Sequence, residues 1–301
     1  MKRAVSISLG SPSRDKRVMV NFNGVDIQIE RIGTGGNVDL AKNLFLDLDG
    51  KADALSLGGI DLYVSLDSHD YPVRNALKLV KSVHHTPVVD GRTLKYVLEK
   101  RIFELAKPLS GDVGRFQKVF MPFSVDRIGL AEAVSSIAEQ VIFGDLMFVL
   151  GFPYPIRGLK QLKRLIRLLM PIMGFLPLSV LFPPGVKDEG FHPKYSHLWE
   201  SADLIAGDMH YIQKYGCDNL SGKCVITNTT TEENIAMLKK RGIHWVMTTT
   251  PRYEGRSFGI NVMEAVLTAY AGKERALDSL ELNTLIDELK LRPTFEVLNP
   301  K

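Results

Sequence analysis

Two stretches of the sequence combine residue types that can move protons. His84-His85-Thr86-Pro87-Val88-Val89-Asp90-Gly91-Arg92-Thr93-Leu94-Lys95 sets an acid and a lysine close together. Asp90 could orient Lys95, and such a pair can relay the proton of a substrate alcohol. The competing reading is an ordinary Asp-Gly turn, with Thr93 capping a helix that carries Lys95 on its surface. Gly207-Asp208-Met209-His210-Tyr211 places an acid, an imidazole and a phenol side by side. That suits proton transfer, unless Asp208 simply caps a helix. The expected catalytic residues are Lys95, Asp90, Asp208 and His210. His84 and His85 point different ways as sequence neighbours, and no metal site is expected.

A second set of residues suits a nucleotide. From Val119 to Asp145 the chain reads strand, turn, helix, strand, and Asp145 lies 21 residues past Ser124. A dinucleotide-binding βαβ unit wants its ribose-binding carboxylate about 20 residues on, because one helix and one strand return the chain beside the first turn. A carboxylate there favours NAD over NADP, whose 2′-phosphate it repels. The turn is Ser124-Val125-Asp126-Arg127-Ile128-Gly129 rather than GxGxxG. Only Gly129 is in register, and Asp126 would repel a pyrophosphate. Ser124, Asp126, Arg127, Gly129 and Asp145 are expected to contact the cofactor.

Two threonine-rich stretches add to this set. Thr227-Asn228-Thr229-Thr230-Thr231 leads into a helix, where hydroxyls can cap and free N–H groups can hold an anion. Thr248-Thr249-Thr250-Pro251-Arg252-Tyr253-Glu254-Gly255-Arg256 offers arginines for bidentate anion contacts and a glycine for close approach. Thr227, Thr229, Thr249 and Arg256 are the expected contacts here.

The elements that must position these residues fall into two groups. Up to about residue 110 the pattern is mixed α/β, with a hairpin expected at Asn23-Gly24 between Val18–Phe22 and Val25–Ile29. Pro108–Gly114 reads as a domain boundary. Beyond it come five β-rich runs, at 119–123, 141–143, 204–206, 224–226 and 245–247, mostly separated by helical patterns. Such alternation predicts a parallel sheet. All five runs end in polar residues, and open α/β sheets bind ligands at the carboxyl ends of their strands. The expected architecture is α/β: a mixed α/β substrate domain over 1–110, then a Rossmann-like parallel-sheet domain over 111–301. A helical insertion spans 153–201, and the C-terminal helices are free to return to the first domain.

Within the insertion, Leu159, Leu162, Leu165, Ile166 and Leu169 recur at helical spacing among Arg157, Lys160, Lys163, Arg164 and Arg167. The almost uncharged stretch to Phe182 is too short, and too interrupted by Pro171 and Pro177, to span a bilayer. Two readings stay open for 159–182: peripheral contact with an anionic membrane or acyl-bearing partner, or an apolar face packed on its own protein.

Composition sets the outer limits. Of 301 residues 45% are hydrophobic and 24% charged, with 25 Gly and 15 Pro, which excludes disordered and low-complexity classes. A formal charge of +4 is too mild for a dedicated nucleic-acid binder. The N-terminus lacks the apolar run of a signal peptide. Cys217 and Cys224 fit no zinc spacing and read as ordinary thiols. A cytoplasmic location is expected, with a homodimer left open.

Four segments carry a family resemblance: His85–Gly91, Phe143–Phe148, Ala206–Ile212 and Gly255–Ala265. Through them nearly the whole chain resembles the bacterial quinate/shikimate 5-dehydrogenase-like group. The resemblance implies a substrate domain followed by a nucleotide-binding domain. It also implies NAD(P)-dependent oxidation of a polyol or hydroxy acid. The Asn-Val-Thr-x-Pro-x-Lys segment and Gly-rich cofactor turn of shikimate dehydrogenases are absent here, so Lys95 matches no motif lysine. The alternative expectation is a non-redox protein binding a nucleotide or acyl ligand at a membrane surface through 159–182.

Overall fold

The computed structural model describes residues 1–67, 69–175, 190–253, 256–257 and 259–300. The chain divides into two units. The first comprises Met1–Val97, Leu169–Val186 and Phe258–Lys290; the second comprises Leu98–Leu168, Lys187–Ser257 and Leu291–Lys301. In chain order the elements begin with β1 (Lys2–Ser8), β2 (Lys16–Phe22), β3 (Val25–Gly33), α1 (Val38–Leu48), β4 (Ala54–Gly58), β5 (Tyr63–Leu66) and β6 (His69–Pro72). They continue with α2 (Arg74–Val80), β7 (Val88–Val89), α3 (Arg92–Lys100), α4 (Ile102–Ser110), β8 (Phe116–Met121), α5 (Ile128–Ile137), β9 (Ala138–Phe143), α6 (Asp145–Phe148) and β10 (Ile156–Arg157). Next are α7 (Leu159–Met173), α8 (Ser196–Ser201), β11 (Leu204–Ala206), α9 (Met209–Tyr215), β12 (Cys224–Thr227), α10 (Glu232–Lys240) and β13 (Trp245–Thr248). The last are β14 (Arg252–Tyr253), β15 (Arg256–Ser257), α11 (Ile260–Ala271), α12 (Ser279–Glu288) and β16 (Thr294–Val297).

The first unit is built on the sheet β2-β3-β1-β4-β7. Asn23 and Gly24 both have positive φ, 45° and 84°, as a two-residue hairpin turn between right-twisted strands requires. β1 pairs in parallel with β3 and with β4, so its residues are covered on both sides. Strand alternation then sorts its side chains. Val5 and Ile7 join Ala41 and Phe45 of α1 and Ala76 and Leu79 of α2 in one core. Each large aliphatic or aromatic side chain buried there contributes roughly 1.5–3 kcal/mol. The other face carries Ala4 and Ser6, and α11 lies against β1, β3, β4 and β7.

The second unit carries a seven-stranded sheet, β10-β9-β8-β11-β12-β13-β16. The five inner strands are parallel, and β10 and β16 close the edges antiparallel. These five are the β-rich runs of the sequence, arranged as a doubly wound α/β sheet. Pro122 falls just after β8, where its missing N–H breaks no ladder. Phe120, Ile205, Val225 and Val246 of the sheet share a core with Trp199 of α8 and Ile212 of α9.

Two local features differ from expectation. The Pro108–Gly114 break begins late, because α4 carries Pro108 in its last turn and runs to Ser110. On α7 the apolar positions Leu162, Ile166 and Met170 are buried, and Lys163 pairs with Glu132 at 2.6 Å. That face is core. The continuation of the apolar stretch from 176 to 182 lies outside the described residues. Among those described, no helix is long and apolar enough to cross a membrane.

Candidate functional site

The strand order of the second unit decides where its chemistry gathers. Numbered by appearance within the unit, its parallel strands run 2-1-3-4-5. The order reverses between β8 and β11. Doubly wound sheets open a crevice at the carboxyl ends of the two strands flanking that reversal. Here those ends are the 122–127 loop after β8 and Gly207-Asp208 after β11, with Thr227 ending β12 and Asn228 following it. Five residues selected from sequence, Ser124, Asp126, Arg127, Asp208 and Thr227, thus meet at one edge.

Arg127 is the hub, 5% exposed. Its Nη1 donates to Glu99 Oε1 at 2.6 Å and its Nη2 to Asp208 Oδ2 at 3.1 Å. Burial works against the guanidinium charge, but Glu99, Asp126 and Asp208 outweigh it and hold Arg127 firmly protonated. The second oxygen of Glu99 accepts from the backbone N–H of Leu130, in the first turn of α5. That helix start is where a dinucleotide-binding unit places an anion. A carboxylate of the chain itself occupies it.

Asp145 is used differently from the sequence expectation. Its oxygens accept from Ser124 N–H at 2.8 Å, Ser124 Oγ at 2.6 Å and Val125 N–H at 3.0 Å. The carboxylate is buried beneath the turn and braces it, in place of reaching ribose hydroxyls. Burial raises its pKa to about 6, against the lowering effect of those three donors. Gly129 is the buried second residue of α5.

Asp208 and His210 are joined by a helix cap. Asp208 Oδ1 accepts from the backbone N–H of His210 at 2.9 Å, while Oδ2 takes Arg127 and, at 2.8 Å, Asn228 Nδ2. The His210 side chain is exposed, so the expected proton-moving pair is a capping motif. Tyr211 stacks on Phe123 with ring centroids 5.4 Å apart. Burial, followed by the nearby acids, pushes its phenol pKa up. Thr249 is buried just past the end of β13, with its N–H on the Thr227 carbonyl. Thr229 is half-buried beyond Asn228. Arg256 lies in β15, its side chain outside the described part, and Gly255 lies outside the described residues.

The first unit holds another cluster. Lys95 Nζ donates to Asp61 Oδ2 at 3.0 Å, both side chains mostly buried. Asp61 therefore takes the place expected of Asp90. Asp90 spends its oxygens on the backbone N–H groups of Leu62 at 2.7 Å and Arg92 at 3.1 Å. Glu264 of α11 is buried and accepts from Leu94 N–H at 3.0 Å. Burial, then the charge of Asp90, raises its pKa to about 8. Asn261 Nδ2 reaches Ser6 Oγ at 2.8 Å and Ser56 Oγ at 3.2 Å. Neither Asp61 nor Glu264 is among the catalytic residues expected from the sequence. The available signal was an acid in the apolar run Val262-Met263-Glu264-Ala265-Val266.

These geometries bear on what each cluster accommodates. Asp208 and Asn228 are bonded to each other and to Arg127, His210, Met209 and Thr227, which makes this edge an interlocked polar network. A pyrophosphate on the first turn of α5 would meet Glu99 instead of open N–H groups. Among the described residues no group of His, Cys, Asp and Glu could hold a metal ion.

Residues 93–298 match the family described as Domain of unknown function (DUF8754), and residues 3–90 the one described as Domain of unknown function (DUF8753). No curated protein matches the sequence. Among solved structures, the NAD-dependent malic enzyme of Thermotoga maritima is similar at TM-score 0.41 and 10% identity, over 99% of this chain and 80% of that one. The hetero-hexameric glutamate dehydrogenase of Thermus thermophilus gives 0.40 and 12%, over 96% and 73%. A solute-binding protein of an ABC transporter from Agrobacterium vitis, bound to α-D-tagatopyranose, gives 0.37 and 10%, over 93% and 91%.

Proposed function

We propose that this chain, which belongs to the family described as Domain of unknown function (DUF8754), is an NAD-dependent oxidoreductase acting on a polyol or hydroxy acid. The quinate/shikimate 5-dehydrogenase-like resemblance implies the same activity. The observation that carries the reading is the Lys95–Asp61 pair, 3.0 Å apart and mostly withdrawn from water. An alcohol oxidised to a carbonyl loses a hydride and a proton. NAD, when bound, supplies the hydride acceptor. Lys95 passes one ammonium proton to the carboxylate of Asp61 and, as the neutral amine, takes the hydroxyl proton of the substrate, so that the net proton ends on Asp61. Asp90 and Glu264 hold Leu62, Arg92 and Leu94 by their backbone N–H groups, which keeps the segments bearing Asp61 and Lys95 in place. In the second unit, Asp126 would hold ribose hydroxyls, with Asp208 and Asn228 fixing the loops around it, and Glu99 keeps phosphates off the start of α5.

Calorimetric titration of the intact protein with NAD, NADH, NADP and NADPH tests this. Binding of NAD or NADH in preference to the phosphorylated forms is expected. A folded protein indifferent to all four at millimolar concentration would reject the reading.

Glu99 favours a second reading. With the anion position already filled, the acid-rich crevice of the second unit suits a polyhydroxylated ligand without phosphate. The chain would then be a non-redox enzyme or binding protein. Heat on titration with a neutral polyol, and none with any pyridine nucleotide, would decide for it.

A further inference from the structure

The two faces of α7 have different fates. The helix contains four cations and no acid. Its Leu162, Ile166 and Met170 are buried, which removes the apolar face that the sequence offered to a membrane. At 3.6 residues per turn the opposite face carries Lys160, Arg164 and Arg167, and then Leu168, Pro171 and Ile172. All six are exposed. Leu168 and Ile172 are 70% and 69% exposed. Single exposed aliphatic side chains are ordinary on a protein surface. Two of them one turn apart, on the same helix face as three exposed cations, form a specific pattern. Just past the helix, Phe175 is also exposed and lies beneath the Arg74 guanidinium at 4.3 Å.

We propose that this outer face of α7 docks on an anionic membrane surface. Leu168 and Ile172 enter the headgroup layer, and Lys160, Arg164 and Arg167 meet lipid phosphates and carboxylates. The pairing follows from charge and depth. Short aliphatic side chains gain by leaving water at the acyl boundary, and flanking cations are drawn to acidic headgroups within a Debye length. This contact is independent of any chemistry at Lys95.

Co-sedimentation of the full chain with vesicles tests it, using phosphatidylcholine alone and phosphatidylcholine with phosphatidylserine. Binding to the anionic vesicles should exceed binding to the neutral ones by on the order of tenfold or more, and should fall with added salt. The pairs Leu168→Ser with Ile172→Ser, and Arg164→Glu with Arg167→Glu, should each lose most of it. These positions are exposed, so melting curves without vesicles should match wild type. Reversal of two exposed cations elsewhere, Lys239→Glu with Lys240→Glu on α10, should leave binding in place. Equal loss in that control would mean only diffuse attraction and would overturn the proposal. So would unchanged binding in the α7 variants, no binding by wild type, or a dimer in sedimentation velocity that Leu168→Ser with Ile172→Ser dissolves.

Discussion

Glu99 and Arg127 form a buried ion pair 2.6 Å apart, and the same carboxylate caps the first turn of α5 through Leu130. Removing one member of such a pair strands a charge in the interior, whereas removing both does not. Arg127→Met should therefore destabilise the protein by about 3–5 kcal/mol, read as a lowered urea midpoint. Combining it with Glu99→Gln should restore part of the loss. An additive double variant would show that the two groups are not coupled.

Lys95 and Asp61 should separate from Asp90 in their effects. Lys95→Met is expected to lower turnover by about 10²- to 10⁴-fold with nucleotide binding unchanged. Asp61→Asn should lower turnover and alter its pH profile. Asp90→Asn should act on stability, because its oxygens serve backbone N–H groups. Equal activity in Lys95→Met and wild type would remove Lys95 from the chemistry.

Stability should fall as pH rises from about 4 to about 8. Asp145 and Glu264 have pKa values raised by burial from 3.8 to about 6 and from 4.5 to about 8. Between those limits the folded state keeps protons that the unfolded chain releases, so deprotonation favours unfolding. The loss due to Asp145 is complete near pH 6, and that due to Glu264 continues to about 8. Glu264→Gln keeps an acceptor for Leu94 and should flatten the profile between pH 6 and 8. Chemical denaturation at stepped pH measures this. A wild-type stability that is level or rising across that interval, and unchanged in shape by Glu264→Gln, would contradict it.

Gly91 has φ of +91°, and a Cβ there would stand 2.7 Å from the Asn261 backbone nitrogen. Gly91→Ala combines a strained conformation with a clash against backbone, and should cost about 3 kcal/mol or more. The melting temperature checks it. A change within the error of the scan would mean that α11 can move aside easily.

Much of the fold was legible in local pattern. The Asn23-Gly24 hairpin follows from the positive φ that both positions tolerate. The five inner strands of the second unit follow from short β-rich runs ending in polar residues. Both signals are local, and backbone sterics and side-chain alternation carry them. Ser124, Asp126, Arg127, Asp208 and Thr227 could be selected together on the same ground, because parallel strands bring their carboxyl ends to one edge.

Which oxygen serves which donor was settled by tertiary structure alone. Asp145 stands at the spacing of a ribose ligand, yet braces the turn before α5, since a buried carboxylate must be satisfied by whatever donors surround it. Asp61 displaces Asp90 beside Lys95 because backbone N–H groups claim both oxygens of Asp90. Glu99 reaches Leu130 and Arg127 across about thirty residues of sequence. On α7 the sequence alone determined that there would be a cationic and an apolar side. Burial of Leu162, Ile166 and Met170 decided which apolar residues became core and which remained on the surface. Residue type and spacing determine what a side chain is able to do; the partners that packing brings within about 3 Å determine which of those uses remains.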